Sequence, residues 1–329
     1  RPGDRTMPAP LEQLLEVALL SSHLICVNLA AGIPILWMLL EFFHRKKEGL
    51  ALQVALNLGG IGIQTLVLGG LFGLIMGWLR WSSEYQALLL QTGSRLWFAI
   101  AEWTFSLVIL TGCWLSIRRG SKGVRASYVR TISLLLASSN LLYHFPAFFG
   151  VLDQLRESGD TNTRLDSPTF RQLVLSPLVV SRSTHFIVSS IAVSGLCFSW
   201  TARRLSQGLR PDPRKPASQS HPADSEVAIG QRYCRLGLHL ALWSTVGQFL
   251  LGFWLLISLP RTALSQMTGQ NGWMTIALIL GLLAASKLVH QLMRDLFRSD
   301  GEQVSLRRSV AWMFLTVLAM SWMSVMAFK

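Results

Sequence analysis

Apolar residues along this chain fall into eight long blocks, near 14–43, 51–79, 95–116, 131–152, 172–201, 232–259, 273–293 and 309–328. Polar residues collect in the gaps. A bilayer's hydrocarbon core takes roughly 20 helical residues to cross, so each block is long enough to span it. The pattern predicts an all-α fold, a polytopic membrane bundle of about eight transmembrane helices. Several blocks exceed the minimum, so tilt or extension beyond the bilayer is expected.

Around these blocks the chain divides into four parts: an outer N-terminal segment over 1–13, helices one to five over 14–201, a flexible cytoplasmic loop over 202–231 and helices six to eight over 232–329. The loop carries "RRLSQGLRPDPRKPASQSHPADSE", whose Pro, Ser and Arg read as a linker. In the second block, "LNLGGIGIQTLVLGGLFG" spaces glycines at near-helical intervals, which predicts close helix packing.

Composition agrees with a lipid environment. The chain is 51% hydrophobic and 14% charged, whereas soluble domains carry about 25% charged residues. A net charge of +13 would suggest nucleic acid in a soluble protein, but here it reads as topology. Lys and Arg concentrate in alternate connections, in runs such as "HRKKEG", "IRRGSKGVR" and "RPDPRKP". By the positive-inside rule those connections face the cytoplasm and both termini lie outside. No cleavable signal pattern is visible, and the first span can serve as its own insertion signal. The four cysteines form neither a CxxC pair nor a CxxCH site, so neither zinc nor covalently attached haem is encoded.

The informative residues are those that hydrocarbon should exclude. His23, His144 and His185 fall toward the outer side, His239 and His290 toward the inner side. Imidazole is a haem-iron ligand, and bundle interiors present such ligands from facing helices. For each histidine the plainer expectation is an interhelical hydrogen bond or an interfacial position, and for His239 and His290 the two readings weigh equally. His44 and His221 lie in or beside loops. Glu102, inside "WFAIAEWTFSLVILTGCW", reads either as a proton carrier or as a protonated, hydrogen-bonded packing residue. Arg182 stands one turn from His185, where it could pair with a haem propionate or reach the interface.

Together these stretches resemble subunit I of the cytochrome bd quinol oxidases. "HLICVNLAAG" places Gly32 nine residues after His23, "AEWTFSLVILTGCW" carries a Glu-x-Thr-Phe segment, "SSNLLYHFPAFF" a Ser-Asn-Leu run, and "FRQLVLSPLVVSRSTHFIVSSIAVSG" spaces Phe170, Pro177 and His185. The resemblance covers residues from about 14 to 200. It implies haem b or haem d as cofactor, with His185 ligating a low-spin haem and His23 a high-spin one. It implies that Glu102 serves the proton supply of the high-spin site. Quinol is the implied electron donor, and the implied setting is a bacterial inner membrane with a second membrane subunit or cytochrome partner.

The chain also departs from that pattern. Ser94 stands where the family has a second glutamate, and the seventh block lacks the family's arginine-methionine ligand segment. Met274 and His144 are the substitutes for that second ligand. The outer loop between blocks six and seven is reduced to "PRTALSQMTGQNG". Three other functions stay open: a reduced terminal oxidase completed by another subunit, a haem-less structural or assembly subunit, and a proton-coupled transporter.

Overall fold

A computed structural model describes residues 9–43, 49–121, 123–158, 165–208, 221–297 and 306–327. Among them, eight helices are long and apolar enough to cross a membrane. They are α1 (Ala9–Phe43), α2 (Gly49–Leu79), α4 (Ser94–Arg118), a fourth span in two parts, α8 (Pro177–Gly208), α9 (His221–Ser258), α11 (Gly272–Leu296) and α12 (Leu306–Ala327). The fourth span joins α5 (Val124–Ser139) to α6 (Phe145–Ser158) through a π-helical turn, Asn140–His144. The protein is an all-α multi-pass membrane bundle.

Short helices occupy connections that the hydrophobic pattern leaves undefined. α3 (Ser83–Thr92) follows α2, and its first turn is capped by the Ser82 hydroxyl, which accepts from the Tyr85 amide. α7 (Ser167–Val174) begins at Asp166, whose carboxylate accepts from the Thr169 amide at 2.9 Å. The expected fifth span over 172–201 is thus broken: α7 ends at Val174 and α8 starts afresh at Pro177. Proline lacks the amide a continuing helix needs but suits a helix's first position. The loop expected over 202–231 is shorter than its composition suggests, because α8 continues to Gly208 and α9 begins at His221. Between α9 and α11, α10 (Arg261–Ser265) and a second π turn, Gln266–Gln270, fill the reduced loop.

Glycine and serine set how the long helices meet. A Cβ on Gly32 of α1 would run into the Ser190 carbonyl and Ser194 hydroxyl of α8. A Cβ on Gly195 of α8 would sit 2.9 Å from both the Gly237 carbonyl and the Ala241 amide of α9. These contacts bring α1, α8 and α9 backbone to backbone, where bilayer helices gain most from dispersion. Around them lies one apolar core that includes Ile33, Trp37, Leu58, Leu110, Leu134 and Phe198. α11 and α12 pack chiefly on each other, with α9 and α1 as their neighbours.

Contacts also give helix directions. Val27, Ile33 and Trp37 of α1 meet Gly69, Gly62 and Gly59 of α2 in turn, so the two are antiparallel. Trp103 and Trp114 of α4 donate to the Leu66 and Leu56 carbonyls of α2, again antiparallel. The end of the bundle at which α1 and α8 begin is termed upper below, and the other lower.

Candidate functional site

The centre of the site is the seam between α1 and α8. Asn28 is buried, and its side-chain oxygen accepts from the Ser189 hydroxyl at 2.7 Å and the Ser190 hydroxyl at 2.9 Å. One turn lower, Gly32 packs on Ser190 and Ser194. Both steps advance in the same direction, so α1 and α8 run parallel. Stepping back five residues from Asn28 reaches His23, and five from Ser190 reaches His185. The two histidines therefore share one level. At 3.6 residues per turn each also lies roughly 140° around its helix from the seam. They point away from each other, one to either flank of the α1–α8 pair.

Neighbouring helices receive them. His23 Nδ1 lies 2.9 Å from the Gly69 carbonyl of α2. A carbonyl only accepts, so Nδ1 carries the proton and Nε2 is left as a lone-pair nitrogen. Metal-ligating histidines are commonly oriented by such a bond. Gly73, one turn further along α2, backs the ring: a Cβ there would lie 3.1 Å from His23 Cε1.

His185 meets α9. The Gln248 amide donates to the His185 main-chain carbonyl at 2.9 Å. Yet His185 Nδ1 and Gln248 Oε1 are both buried without a hydrogen-bond partner. Gly252, one turn from Gln248, keeps space beside the imidazole: a Cβ there would stand 4.0 Å from His185 Cε1. A buried polar atom left unpaired costs about 1–3 kcal/mol, so two on facing helices mark a place suited to a polar or ligating occupant. Arg182, one turn above on α8, is half-buried.

A third group forms between α4 and the π turn. His144 Nδ1 lies 3.3 Å from Glu102 Oε1, with the histidine side chain 46% exposed and the carboxylate 12%. The Asn140 amide holds the place by donating to the Glu102 carbonyl and the Ser106 hydroxyl, both at 2.8 Å. A π turn inserts one extra residue into the helix, which resets the facing of everything after it. Here it brings His144 round to α4, where Phe98 and Tyr143 set their rings edge-on to the imidazole.

The remaining candidates lie apart. Met274 is fully buried in the first turn of α11, which packs on α12 and α9. His239 and His290 are exposed on α9 and α11, beside the inward-facing Leu238 and Leu288. His44 lies outside the described residues. Among the described residues, no three His, Cys, Asp or Glu side chains gather as a metal-ion site. Sequence reasoning passed over Asn28, Gln248 and the buried pair Glu41–Arg130. An asparagine in "HLICVNLAAG" and a glutamine in "WSTVGQFLLGFW" were the available signals, since an amide in an apolar run needs a partner just as an imidazole does.

No family model matches the chain, and no curated protein matches it.

An iron porphyrin asks a protein for one or two neutral imidazole nitrogens, apolar walls and room at the ring edge. His23 fits in tautomer, through its bond to Gly69. His185 fits in burial and in its unpartnered Nδ1. Because the two imidazoles diverge, each would serve a separate group rather than clasp one iron from both sides.

Proposed function

We propose that this protein is a membrane-bound b-type cytochrome, akin to subunit I of the bd-type quinol oxidases, in which His185 and His23 ligate separate haems. The observation that carries the reading is the unpartnered, buried His185 Nδ1 beside Gly252 and Gln248, level with a His23 whose tautomer is fixed for ligation. When bound, haem supplies a one-electron iron couple, taking electrons from quinol or a redox partner and passing them to a second subunit, cytochrome or oxygen. The chain's own residues hold and tune it. Gly69 keeps the His23 lone pair on Nε2, Gln248 pins the backbone of His185, and Arg182 places a cation one turn from that ligand. Glu102 and His144 can hold one proton between them, which suits a group balancing charge as electrons arrive. On this reading the protein sits in a bacterial inner membrane with both termini outside.

The test is a dithionite-reduced minus oxidised absorption spectrum of the purified protein, expressed with adequate haem. Sharp b-type bands that weaken in His185→Ala support the reading, and carbon-monoxide binding then asks whether oxygen is reduced. A flat spectrum from well-folded protein would leave the haem-less structural subunit, a reading favoured by Ser94, which stands at the exposed start of α4 in place of a carboxylate.

A further inference from the structure

A groove of about 300 Å³ runs between α2 and α4 in the lower half of the bundle, and none of the histidines lines it among the described residues. Its wall on α2 combines Leu56, Ile61 and Gly60 with the amides Asn57 and Gln64, and its wall on α4 is Trp114 and Arg118. Amides and an arginine on an outward face of a membrane bundle are costly unless something satisfies them. The features are ordered by depth. Arg118 is the last residue of α4, and its guanidinium carbon lies 5.0 Å from the centre of the Trp114 ring. A cation over a ring face at that distance stays beside Trp114 while its N–H groups remain available to an oxyanion, which arginine can bind in bidentate fashion. Trp114 is itself fixed, because its indole N–H donates to the Leu56 carbonyl at 3.0 Å.

Deeper in the groove the chemistry changes. Asn57 lies one turn above the exposed Gln53, nearer the middle of the bundle, and donates to its carbonyl at 2.9 Å. That commits one donor and leaves the side-chain oxygen and a second N–H for the groove. Trp114 is level with Leu56 through its hydrogen bond, and Arg118 is one turn lower. Asn57 therefore stands about 5 Å of rise above Arg118, the step from a bound amphiphile's charged head to its linkage. Gly60 then opens the floor. A Cβ there would lie 3.9 Å from Trp114 Nε1, an ordinary contact, so nothing in the packing demands a glycine at this place. What the missing side chain provides is width for an apolar chain between Leu56 and Ile61. The surroundings of Arg118 are cationic as well: Arg119 follows it and Arg125 lies in the next helix, both exposed. Basic pockets between helices at this level of a membrane protein suit acidic lipid headgroups.

We infer that the α2–α4 groove is a binding site for an acidic phospholipid, its phosphate on Arg118, its polar linkage on Asn57 and an acyl chain over Gly60. The occupant is anionic because, among the described lining residues, the one charged group is a cation. A second copy of this chain would bring two arginines together there, and a zwitterionic lipid, though it also carries a phosphate, would set its own cation among Arg118, Arg119 and Arg125.

The test uses the full-length protein in detergent, titrated with phosphatidylglycerol or phosphatidylcholine and read by native mass spectrometry for retained lipid. The variants are Arg118→Gln, Gly60→Leu and, as a control on α12, which packs chiefly on α11 and α1, Arg307→Gln. The expected result is one retained phosphatidylglycerol held at least tenfold more tightly than phosphatidylcholine. Arg118→Gln should abolish that preference, Gly60→Leu should lower retention of both lipids, and the control should behave as wild type. Gly60→Leu fills open space, so it should fold, as monodisperse elution will check. Equal retention of the two lipids, or a preference that survives Arg118→Gln or Gly60→Leu, overturns the inference. So does a preference lost equally in the control, which would mean diffuse attraction to the basic end. None of these outcomes depends on whether haem is bound.

Discussion

Single polar residues in this bundle are either fully answered or conspicuously not. Glu41 is the clearest answered case. It is fully buried near the end of α1, accepts from Arg130 Nε at 3.0 Å and Arg130 Nη2 at 3.2 Å, and takes a third bond from Ser127. Arg130 spends its other nitrogen on Ser116 and the Ser121 carbonyl, so one side chain ties α5 to α1 and α4. Removing one member of such a pair leaves a charge stranded and costs about 3–5 kcal/mol, whereas replacing both with apolar residues is often neutral. Glu41→Leu alone should therefore lower the thermal midpoint sharply in detergent, and Glu41→Leu with Arg130→Met should recover most of it. Gly32 makes a second residue-scale prediction. Gly32→Val would force a branched side chain into the Ser190 backbone, an overpacking that costs about 1–3 kcal/mol. Equilibrium unfolding of the variant should show that loss. His185 is the unanswered case, which is why its alanine variant reports on ligand binding as well as on packing.

At the scale of elements, the π turn decides which face of α6 meets α4. Five residues, Asn140–His144, complete a turn that an α-helix would close with four. Deleting Leu141 should restore an ordinary helix and swing the following residues by roughly 100°. The expected consequence is loss of the Glu102–His144 contact. A double-mutant cycle with Glu102→Gln and His144→Gln checks this: measurable coupling in the parent chain, none in the deletion variant. The same scale explains the break before α8. Pro177 carries no amide to continue α7, so the chain turns at Leu175 and Ser176, and His185 is displayed from a helix with its own starting point.

At the scale of the whole molecule, eight spans and alternating basic connections predict which side each loop faces. Ser218→Cys in the long basic connection should react with a membrane-impermeant maleimide only in inside-out vesicles. Thr262→Cys, on the exposed α10, should react only in right-side-out ones. The native cysteines all lie in long apolar helices, so a cysteine-free background is a modest change.

How much of this was legible beforehand follows from the physics of each feature. Hydrocarbon rejects polar backbone and charge, so block length alone determined the helical class, the number of spans and the oddity of His23, His185 and Glu102. Helix ends were less legible, because α8 and α9 run past their apolar blocks into polar residues that water tolerates equally as helix or loop. Which polar residues meet could not be read at all. Asn28 finds Ser189 and Ser190 across about 160 residues through a packing register set by Gly32, and His144 finds Glu102 only because a π turn rotates it there. The sequence by itself determined that this chain lives in a membrane and which of its residues are out of place in one. Tertiary structure alone decided that the two central histidines stand level and face apart, because facing depends on helix rotation, and rotation is set by contacts between segments far apart in the chain.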